Sequence, residues 1–215
     1  MMEDVDVDQL RTDLVEEGLP DELADRDPIV LAQEWIALSR EAKLFNPDAM
    51  AVASVDAEGR PSVRNVLMRN VIDDGFCFYT NYDSQKGIEL IANPVVEALF
   101  SWLVLERQIR VRGSVERLGA DDSDAYFDGR PRASKLAAIA SDQSRPIPNR
   151  KWLERRYREV VDDYEGHDVA RPDHWGGFRI VPERIEFWQG HPNRLHNRLV
   201  FTRMNGNWDI SRLAP

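Results

Sequence analysis

The 215 residues are enough for one large domain with a buried core, and a hydrophobic content of 42% excludes wholesale disorder. A formal net charge of −10, with no long basic stripe, disfavours non-specific binding of nucleic acid. No apolar run reaches the roughly 20 residues of a membrane-spanning helix, and the N-terminus lacks the pattern of a secretory signal, so we expect no membrane partner.

The negative charge is concentrated at the start of the sequence. Residues 1–27 contain eleven Asp or Glu and two Arg, whereas the charges of residues 28–215 nearly balance. Such an acidic stretch is typical of a solvated, mobile chain. We therefore predict a flexible acidic segment over 1–27 and a single folded domain over 28–215.

The first half of the domain begins with a helix and continues with strands. Asp27 before Pro28 is a typical helix start, and the helical spacing of apolar residues predicts one helix over 28–43. The apolar period then changes to two, which predicts a meander of three strands between about residues 49 and 81. A short helix ended by Asn93-Pro94 follows, and then two long strand patterns.

The second half is helical first and then returns to strands. Residues 121–164 have helical patterns, with a break between Gly129 and Pro131. Strand patterns resume in "GFRIVPERIEFWQG" and continue through a hairpin turn at Asn205-Gly206. Because strands and helices do not alternate as in βαβ units, we predict a mainly β fold with flanking helices (α+β), built on a mostly antiparallel barrel.

Several common site types are missing from the sequence. It has no glycine-rich phosphate loop, no Gly-x-Gly-x-x-Gly fingerprint and no Gly-x-Ser-x-Gly nucleophile motif. No His, Cys and carboxylate set has the spacing of a metal site, so we expect no metal. The single Cys77 allows no intramolecular disulfide, which favours the reducing cytoplasm.

Two groups of residues are candidates for binding anions. Arg64 and Arg69 lie five residues apart in "RNVLMR", so a regular strand would point them to opposite faces and indicate either two anions or one anion and one structural pair. Tyr126, Arg130 and Ser134 are spaced by four, which fits one helical face. Alternatively, the break places Ser134 in the first turn of a new helix, where free N–H groups attract an anion.

The segment "WQGHPNRLHNR" concentrates basic and aromatic residues. As a strand edge it would place Arg194, His196 and Arg198 on one side, which would suit an anionic substrate beside an electron sink; ordinary polar contacts are the alternative. Trp188 and Trp175 are core or lid residues by default, and the alternative is that they contact a ligand with a flat ring.

Taken together, "FYTNYDSQKG", "ERQIRVRGSVERL", "YFDGRPRASK", "SDQS", "WGGFRIVPERIEFWQG", "NRLHNR" and "ISRLAP" resemble the pyridoxine/pyridoxamine 5′-phosphate oxidase family from about residue 28 to the end. The resemblance implies an FMN-binding split β-barrel that forms a homodimer, with FMN in clefts at the subunit interface. It also implies oxidation of pyridoxine or pyridoxamine 5′-phosphate to pyridoxal 5′-phosphate, with O₂ as electron acceptor and H₂O₂ as product, in vitamin B6 metabolism.

The same resemblance implies roles for individual residues. The implied FMN contacts are Arg64, Asn65, Val66, Leu67, Met68, Arg69, Tyr79, Thr80, Gln85, Lys86, Gln108, Gln143, Ser144, Trp188 and Arg198. The implied substrate contacts are Arg69, Tyr126, Arg130, Ser134, Arg194, Leu195 and His196. Arg194 and His196 are the implied catalytic pair over the substrate ring.

The sequence departs from the usual family pattern at three positions. Arg69 stands where a lysine is usual, Gln85 replaces a frequent arginine, and Leu14 takes the place of a tyrosine. Two other functions remain open. One is an oxidase of the same fold that acts on another aromatic substrate, such as a phenazine precursor, and the other is a non-catalytic protein that binds flavin or pyridoxal phosphate.

Overall fold

A computed structural model of the chain describes residues 5–215, which form one antiparallel nine-stranded sheet and six α-helices. The helices are α1 (Val7–Glu17), α2 (Pro28–Glu41), α3 (Gln85–Ala92), α4 (Ala120–Asp128), α5 (Arg132–Ala140) and α6 (Arg150–Asp163). The strands are β1 (Ala49–Val55), β2 (Pro61–Leu67), β3 (Asn70–Ile72), β4 (Gly75–Asn81), β5 (Val95–Trp102), β6 (Arg107–Arg117), β7 (Trp175–Gln189), β8 (Asn197–Met204) and β9 (Asn207–Arg212).

The sheet closes toward a barrel because a two-residue link joins its distant strands. The strand order is β2-β1-β5-β6-β7-β4-β3, with β8 paired to β7 and β9 to β8. Only Met68 and Arg69 connect β2 to β3, at opposite ends of that order, so the sheet must curve to bring the ends together. The backbone N–H of Met68 donates to Asp48 and that of Arg69 to Cys77, which fixes the link on both sides.

The predicted three-strand meander is therefore wrong. Residues 49–81 form four strands in two hairpins, β1-β2 and β3-β4, and β4 pairs with β7 rather than with β2. An alternating pattern identifies which face of a strand is buried, but partner choice depends on residues far along the chain. The remaining predicted strands and the Asn205-Gly206 hairpin are confirmed.

Two long strands carry the centre of the sheet. β6 runs along one side of β7, while β4 and β8 share the other side. The pairing of β6 with β7 shifts by one residue at Gly113. A Cβ at Gly113 would lie 1.9 Å from the carbonyl oxygen of Val181, so this bulge requires a glycine.

The barrel interior is an aromatic and aliphatic core. Fully buried phenylalanines come from four strands, and Trp35 of α2 packs edge-on against Phe187 at 5.1 Å between ring centroids. The predicted start of α2 is confirmed, because Asp27 accepts hydrogen bonds from the backbone N–H of Ile29 and Val30. Cys77 is buried and free.

The acidic N-terminal segment differs from the prediction of flexibility. Within it, α1 begins at Val7, and Leu14 and Leu19 are buried in the main core. Arg212 of β9 donates a hydrogen bond to the carbonyl of Leu19, which ties the segment to the sheet. A few apolar residues at the right spacing anchor a stretch whose composition alone is that of a solvated chain. Residues 1–4 lie outside the described part.

None of the helices within residues 5–215 combines the length and the apolar character that crossing a membrane requires.

Candidate active site

A cavity of about 690 Å³ opens between the β2-β3 link, β4 and the α4-α5 corner. It is larger than a water pocket and matches the size of small-ligand sites. Residues of five separate chain segments line it: Asn65, Val66, Leu67, Arg69, Tyr79, Thr80, Lys86, Ala125, Tyr126, Gly129, Arg130, Pro131, Ser134, Gln143 and Trp175. Many of the predicted FMN and substrate contacts therefore meet in one place, although they are distant in sequence.

The charge of this cavity suits an anion. Arg69, Lys86 and Arg130 line it, and no carboxylate within the described residues does. Burial lowers the pKa of Arg130, and the nearby charge of Arg69 lowers it further, while Tyr126 opposes the change. Two guanidinium groups this close without a carboxylate raise each other's free energy, and a bound anion would relieve that repulsion.

Arg130 has the clearest unmet bonding need. Its guanidinium carbon stands 4.5 Å from the ring centroid of Trp175, so the flat group is held on an aromatic face. Its Nη1 is buried and has no hydrogen-bond partner within the described chain. A buried charged donor without a partner is costly, which indicates that a ligand completes this site.

The α4-α5 corner decides between the two predicted geometries for Ser134. Tyr126 lies near the end of α4, and Ser134 lies in the first turn of α5, where its N–H donates to the carbonyl of Pro131. The alternative with a new helix is confirmed, and a single helical face is wrong. No side chain of residues 5–215 caps the N-terminus of α5, so its amide groups add to the positive end of the cavity.

Parallel aromatic rings form one wall. Tyr79 and Tyr126 stack at 3.7 Å with 7° between their planes, and Trp175 lies 5.8 Å from Tyr79. Burial raises the pKa of Tyr79, so its hydroxyl stays protonated and can donate. A Cβ at Gly177 would stand 2.9 Å from the Tyr79 ring, which explains why the strand carries a glycine here.

Lys86 supplies the cation at the other end of the cavity. Its Nζ lies 3.2 Å from Thr80 Oγ1 and 3.1 Å from Gln143 Oε1, both of them neutral acceptors. Burial lowers the pKa of Lys86, the charge of Arg64 lowers it further, and Glu89 opposes them. The ammonium group is thus partly desolvated and has no carboxylate bonded to it in the described chain, which favours phosphate binding.

Arg64 does not line the cavity but lies behind Lys86. Its Nη2 donates to Glu89 at 2.9 Å and its Nη1 to Ser54. Gln85 also donates to Glu89, at 2.8 Å. Ser144 lines a neighbouring pocket together with Gln85 and Glu89, so these predicted FMN contacts lie outside the cavity.

Arg64 and Arg69 do not share a strand, because β2 ends at Leu67, so their odd spacing does not decide where the two side chains point. Arg69 projects into the cavity, while Arg64 packs toward Glu89 of α3.

A second group of predicted site residues lies elsewhere on the sheet. Gln108, Trp188 and Arg198 form one row across β6, β7 and β8. The ring of His196 lies 4.7 Å from that of Trp188, and Arg198 is held by the buried Glu186 at 2.7 Å. This group has its own aromatic surface and cations.

The predicted strand-edge row of Arg194, His196 and Arg198 is wrong. Of the three, only Arg198 lies within a strand, and Arg194 ends a short helical turn with a positive φ of 61°. Pro192 and the preceding Gly190 interrupt the strand geometry, so the alternation does not extend through this loop. The His196 imidazole nitrogen Nδ1 accepts from the N–H of His191 at 3.2 Å, and Leu195 is exposed.

The two groups are far apart along the chain's own sheet. Trp175 lines the cavity at the start of β7, and Trp188 lies near the end of the same strand. At about 3.3 Å of rise per residue the strand path between them is about 40 Å. The cavity formed by the described residues of the same chain is not lined by the second group, which consists of Trp188, Arg194, Leu195, His196 and Arg198.

Two buried carboxylates were missed by the sequence reasoning. Glu89 holds Arg64, and Glu186 holds Arg198. Burial opposes ionisation of Glu89, but hydrogen bonds from Ser54, Ser62, Gln85 and Arg64 outweigh it and lower its pKa to about 2. No sequence signal marks either residue, because an acidic residue in a helix or strand is exposed by default.

Comparison with known proteins identifies the family of the chain. The model of the family described as pyridoxamine 5′-phosphate oxidase matches residues 38–162, and one described as the pyridoxine 5′-phosphate oxidase C-terminal dimerisation region matches residues 175–215. A pyridoxine/pyridoxamine 5′-phosphate oxidase of Gloeothece citriformis is 46% identical over 213 residues, which cover 99% of this chain and 100% of the relative. One of Paraburkholderia phytofirmans is 50% identical over 193 residues, covering 89% and 90%.

Solved structures give the same result. PhzG from Burkholderia lata, in complex with tetrahydrophenazine-1-carboxylic acid, superposes with a TM-score of 0.85 at 30% identity and covers 92% of this chain and 98% of its own. A pyridoxamine 5′-phosphate oxidase-related, FMN binding protein from Nostoc punctiforme has a TM-score of 0.70 at 16% identity over 88% and 99%, which supports the fold alone. With family models over both halves and relatives near half identical along most of its length, this chain belongs to the pyridoxamine 5′-phosphate oxidase family.

Proposed function

We propose that the chain oxidises pyridoxine 5′-phosphate or pyridoxamine 5′-phosphate to pyridoxal 5′-phosphate, with O₂ as electron acceptor and H₂O₂ as product. The observation that carries this proposal is the buried Nη1 of Arg130, which has no hydrogen-bond partner among the described residues and lies in a cavity lined by cations and aromatic rings but by none of the described carboxylates. Such a site selects a flat ring that bears a phosphate. A cytoplasmic location remains a prediction from the single cysteine.

This chain is an enzyme of the pyridoxamine 5′-phosphate oxidase family, and its cofactor is FMN. When bound, FMN supplies the redox chemistry by accepting the hydrogen and the two electrons that leave the substrate carbon. The residues present fit such a group, because Lys86 is desolvated and bonded only to neutral acceptors within the described chain. Lys86, Thr80 and Gln143 would hold its phosphate end, with Arg64 behind them.

The substrate phosphate has a separate cradle in this proposal. Arg69, Tyr126, Arg130 and Ser134 surround the corner between α4 and α5. Each charge-assisted hydrogen bond contributes about 1.5–3 kcal/mol net, and 1.4 kcal/mol is about tenfold in affinity. Three or four such bonds would supply much of a micromolar affinity, so substrate without the phosphate should bind far more weakly.

The remaining site residues come from a second copy of the chain in this proposal. The long path along β7 between Trp175 and Trp188 keeps a chain from closing its own cavity with its own loop. A homodimer would place Arg194 and His196 of one copy over the cavity of the other. There they would orient the substrate ring and stabilise charge, and His196 would accept the proton of the hydroxyl or amine.

A related substrate is the second candidate. The solved structure of PhzG holds a phenazine carboxylic acid, and its fold superposes closely on this chain. A carboxylate could also bind Arg130. However, the cluster of Arg69, Arg130 and the uncapped α5 terminus suits the higher charge of a phosphate.

A product assay tests the proposal. Purified protein with FMN is incubated in air with pyridoxine 5′-phosphate, with pyridoxamine 5′-phosphate, or with dephosphorylated pyridoxine as control, and aldehyde and H₂O₂ are measured. Equimolar aldehyde and H₂O₂ from the phosphorylated compounds are expected. FMN and pyridoxal phosphate binding without H₂O₂ would indicate a storage protein. A parallel incubation with tetrahydrophenazine-1-carboxylic acid tests the second candidate, which H₂O₂ from that compound alone would indicate.

A further inference from the structure

Glu89 is a buried carboxylate placed beside a site for anions. It lies on α3 with 5% of its surface exposed and faces the β1-β2 hairpin. Its Oε1 accepts hydrogen bonds from Ser62 and Gln85, each at 2.8 Å, and its Oε2 accepts from Ser54 and Arg64. Four donors from three elements thus satisfy this one carboxylate.

The same contacts fix the guanidinium group of Arg64. Nη2 bonds Glu89 at 2.9 Å, while Nη1 bonds the Ser54 hydroxyl and lies 3.3 Å from the carbonyl oxygen of Val52. Only 19% of the Arg64 side chain is exposed. An arginine side chain loses rotamer entropy when it is ordered, and this network orders Arg64 before any ligand arrives.

This network lies directly behind the lysine end of the cavity. Gln85, which donates to Glu89, directly precedes Lys86 on α3, and Lys86 lines the cavity. A carboxylate in this position repels an incoming phosphate, and its presence therefore calls for a compensating role.

We propose that Glu89 is a positioning residue, which holds the Arg64 guanidinium in the orientation that binds the phosphate of FMN. This inference rests on the proposed placement of that phosphate beside Lys86 and Arg64. Gln85 belongs to the same hydrogen-bond network, because its amide donates to Oε1 of Glu89 and leaves Oε2 of Glu89 for Arg64. The neutral amide at position 85 leaves Arg64 as the guanidinium bonded to Glu89.

The proposal and simple electrostatics predict opposite effects of one substitution. Glu89→Gln removes a negative charge near the phosphate, so charge alone predicts tighter binding of FMN. Positioning predicts weaker binding, because the neutral amide no longer fixes Arg64. We expect the Kd of FMN, measured by quenching of flavin fluorescence in the apoprotein, to rise about ten- to hundredfold.

Riboflavin separates positioning from a general structural defect. It carries the same ring system without the phosphate, so its Kd should stay within about twofold of the wild-type value in Glu89→Gln. Equal losses for FMN and riboflavin would show that Glu89 only supports the fold. Tighter binding of FMN would also overturn the proposal.

Two further variants complete the test. Ser54 is fully buried and contacts both Arg64 and Glu89, and Ser54→Ala keeps every charge. We expect this variant to lose affinity for FMN but not for riboflavin, and to a smaller extent than Glu89→Gln. It decides the question if Glu89→Gln does not fold. Glu116→Gln is the charge-matched control, because Glu116 pairs with Arg179 away from the cavity. It should leave both Kd values unchanged, and an FMN-specific loss there equal to that of Glu89→Gln would refute the assignment.

Arg64→Ala distinguishes this inference from the placement on which it rests. If Arg64→Ala leaves the preference for FMN over riboflavin intact, the phosphate lies elsewhere and the proposed placement is wrong. If Arg64→Ala abolishes that preference while Glu89→Gln retains it, the placement stands and the role of Glu89 is wrong.

Discussion

Arg130 is the single residue on which the proposed substrate specificity depends. Arg130→Ala should raise KM for pyridoxine 5′-phosphate about ten- to hundredfold, because it removes charge-assisted hydrogen bonds to the phosphate. The Kd of FMN should not change, since the cofactor phosphate is assigned to the lysine end. Steady-state kinetics and flavin fluorescence titration measure the two quantities.

The exposed Arg155 of α6 provides the matched control for this substitution. Its guanidinium pairs with Glu159 on the same helix, away from the cavity. Arg155→Ala should leave KM unchanged. A KM that stays at the wild-type value in Arg130→Ala would remove this residue from the phosphate cradle.

Glu89 also gives the fold a defined dependence on pH. Its pKa is lowered from the usual 4.5 to about 2 in the folded chain. A lowered folded pKa stabilises the fold above the unfolded pKa, and that stabilisation disappears as the pH falls from about 4.5 toward 2. Its size is at most about 3 kcal/mol.

We therefore expect the apoprotein to lose unfolding free energy over this acid range more steeply than Glu89→Gln does. Urea titrations between pH 6 and pH 3 would measure the free energy of unfolding of both proteins. The contributions of the other carboxylates cancel in the difference between the two. Parallel curves for the two proteins would mean that Glu89 is not ionised in the fold as its hydrogen bonds indicate.

The N-terminal helix α1 is the element for which composition and structure disagree most. Leu14 is buried in the main core although the surrounding segment is acidic. Leu14→Ala should lower the free energy of unfolding by about 2–4 kcal/mol, because it leaves a cavity in a packed core. Urea denaturation with the exposed Asp13→Ala as control checks this, and equal stability of the two variants would favour a flexible segment.

At the scale of the whole molecule, the proposal requires two copies of the chain for each site. At a substrate concentration well below the raised KM, Arg130→Ala should lose most of its activity, and His196→Ala should lose the contribution of the loop, so each homodimer should be nearly inactive in this assay. After subunit exchange, half of the dimers are mixed and each has one intact site, so about one quarter of wild-type activity should return. Activity that stays absent in the verified mixed dimer would place both groups in one subunit.

The sequence alone predicted the elements well where the signals are local. The Asp27-Pro28 helix start, the Asn205-Gly206 hairpin and the break before α5 depend on neighbouring residues, and the structure contains all three. The motifs "WGGF" and "NRLHNR" likewise predicted the family. The meander failed because partner choice between strands is set by distant residues.

For the candidate site, the residue types were readable from the chain itself, and their grouping came only from the resemblance to the family. The chain order could not show that Arg69, Tyr126 and Arg130 line one cavity while His196 lies at the far end of β7, since both depend on how the sheet curves and closes. The partners of the arginines were equally hidden. Glu89 and Glu186 acquire their roles only through burial, which removes water as the competing partner and makes each carboxylate hold the guanidinium beside it.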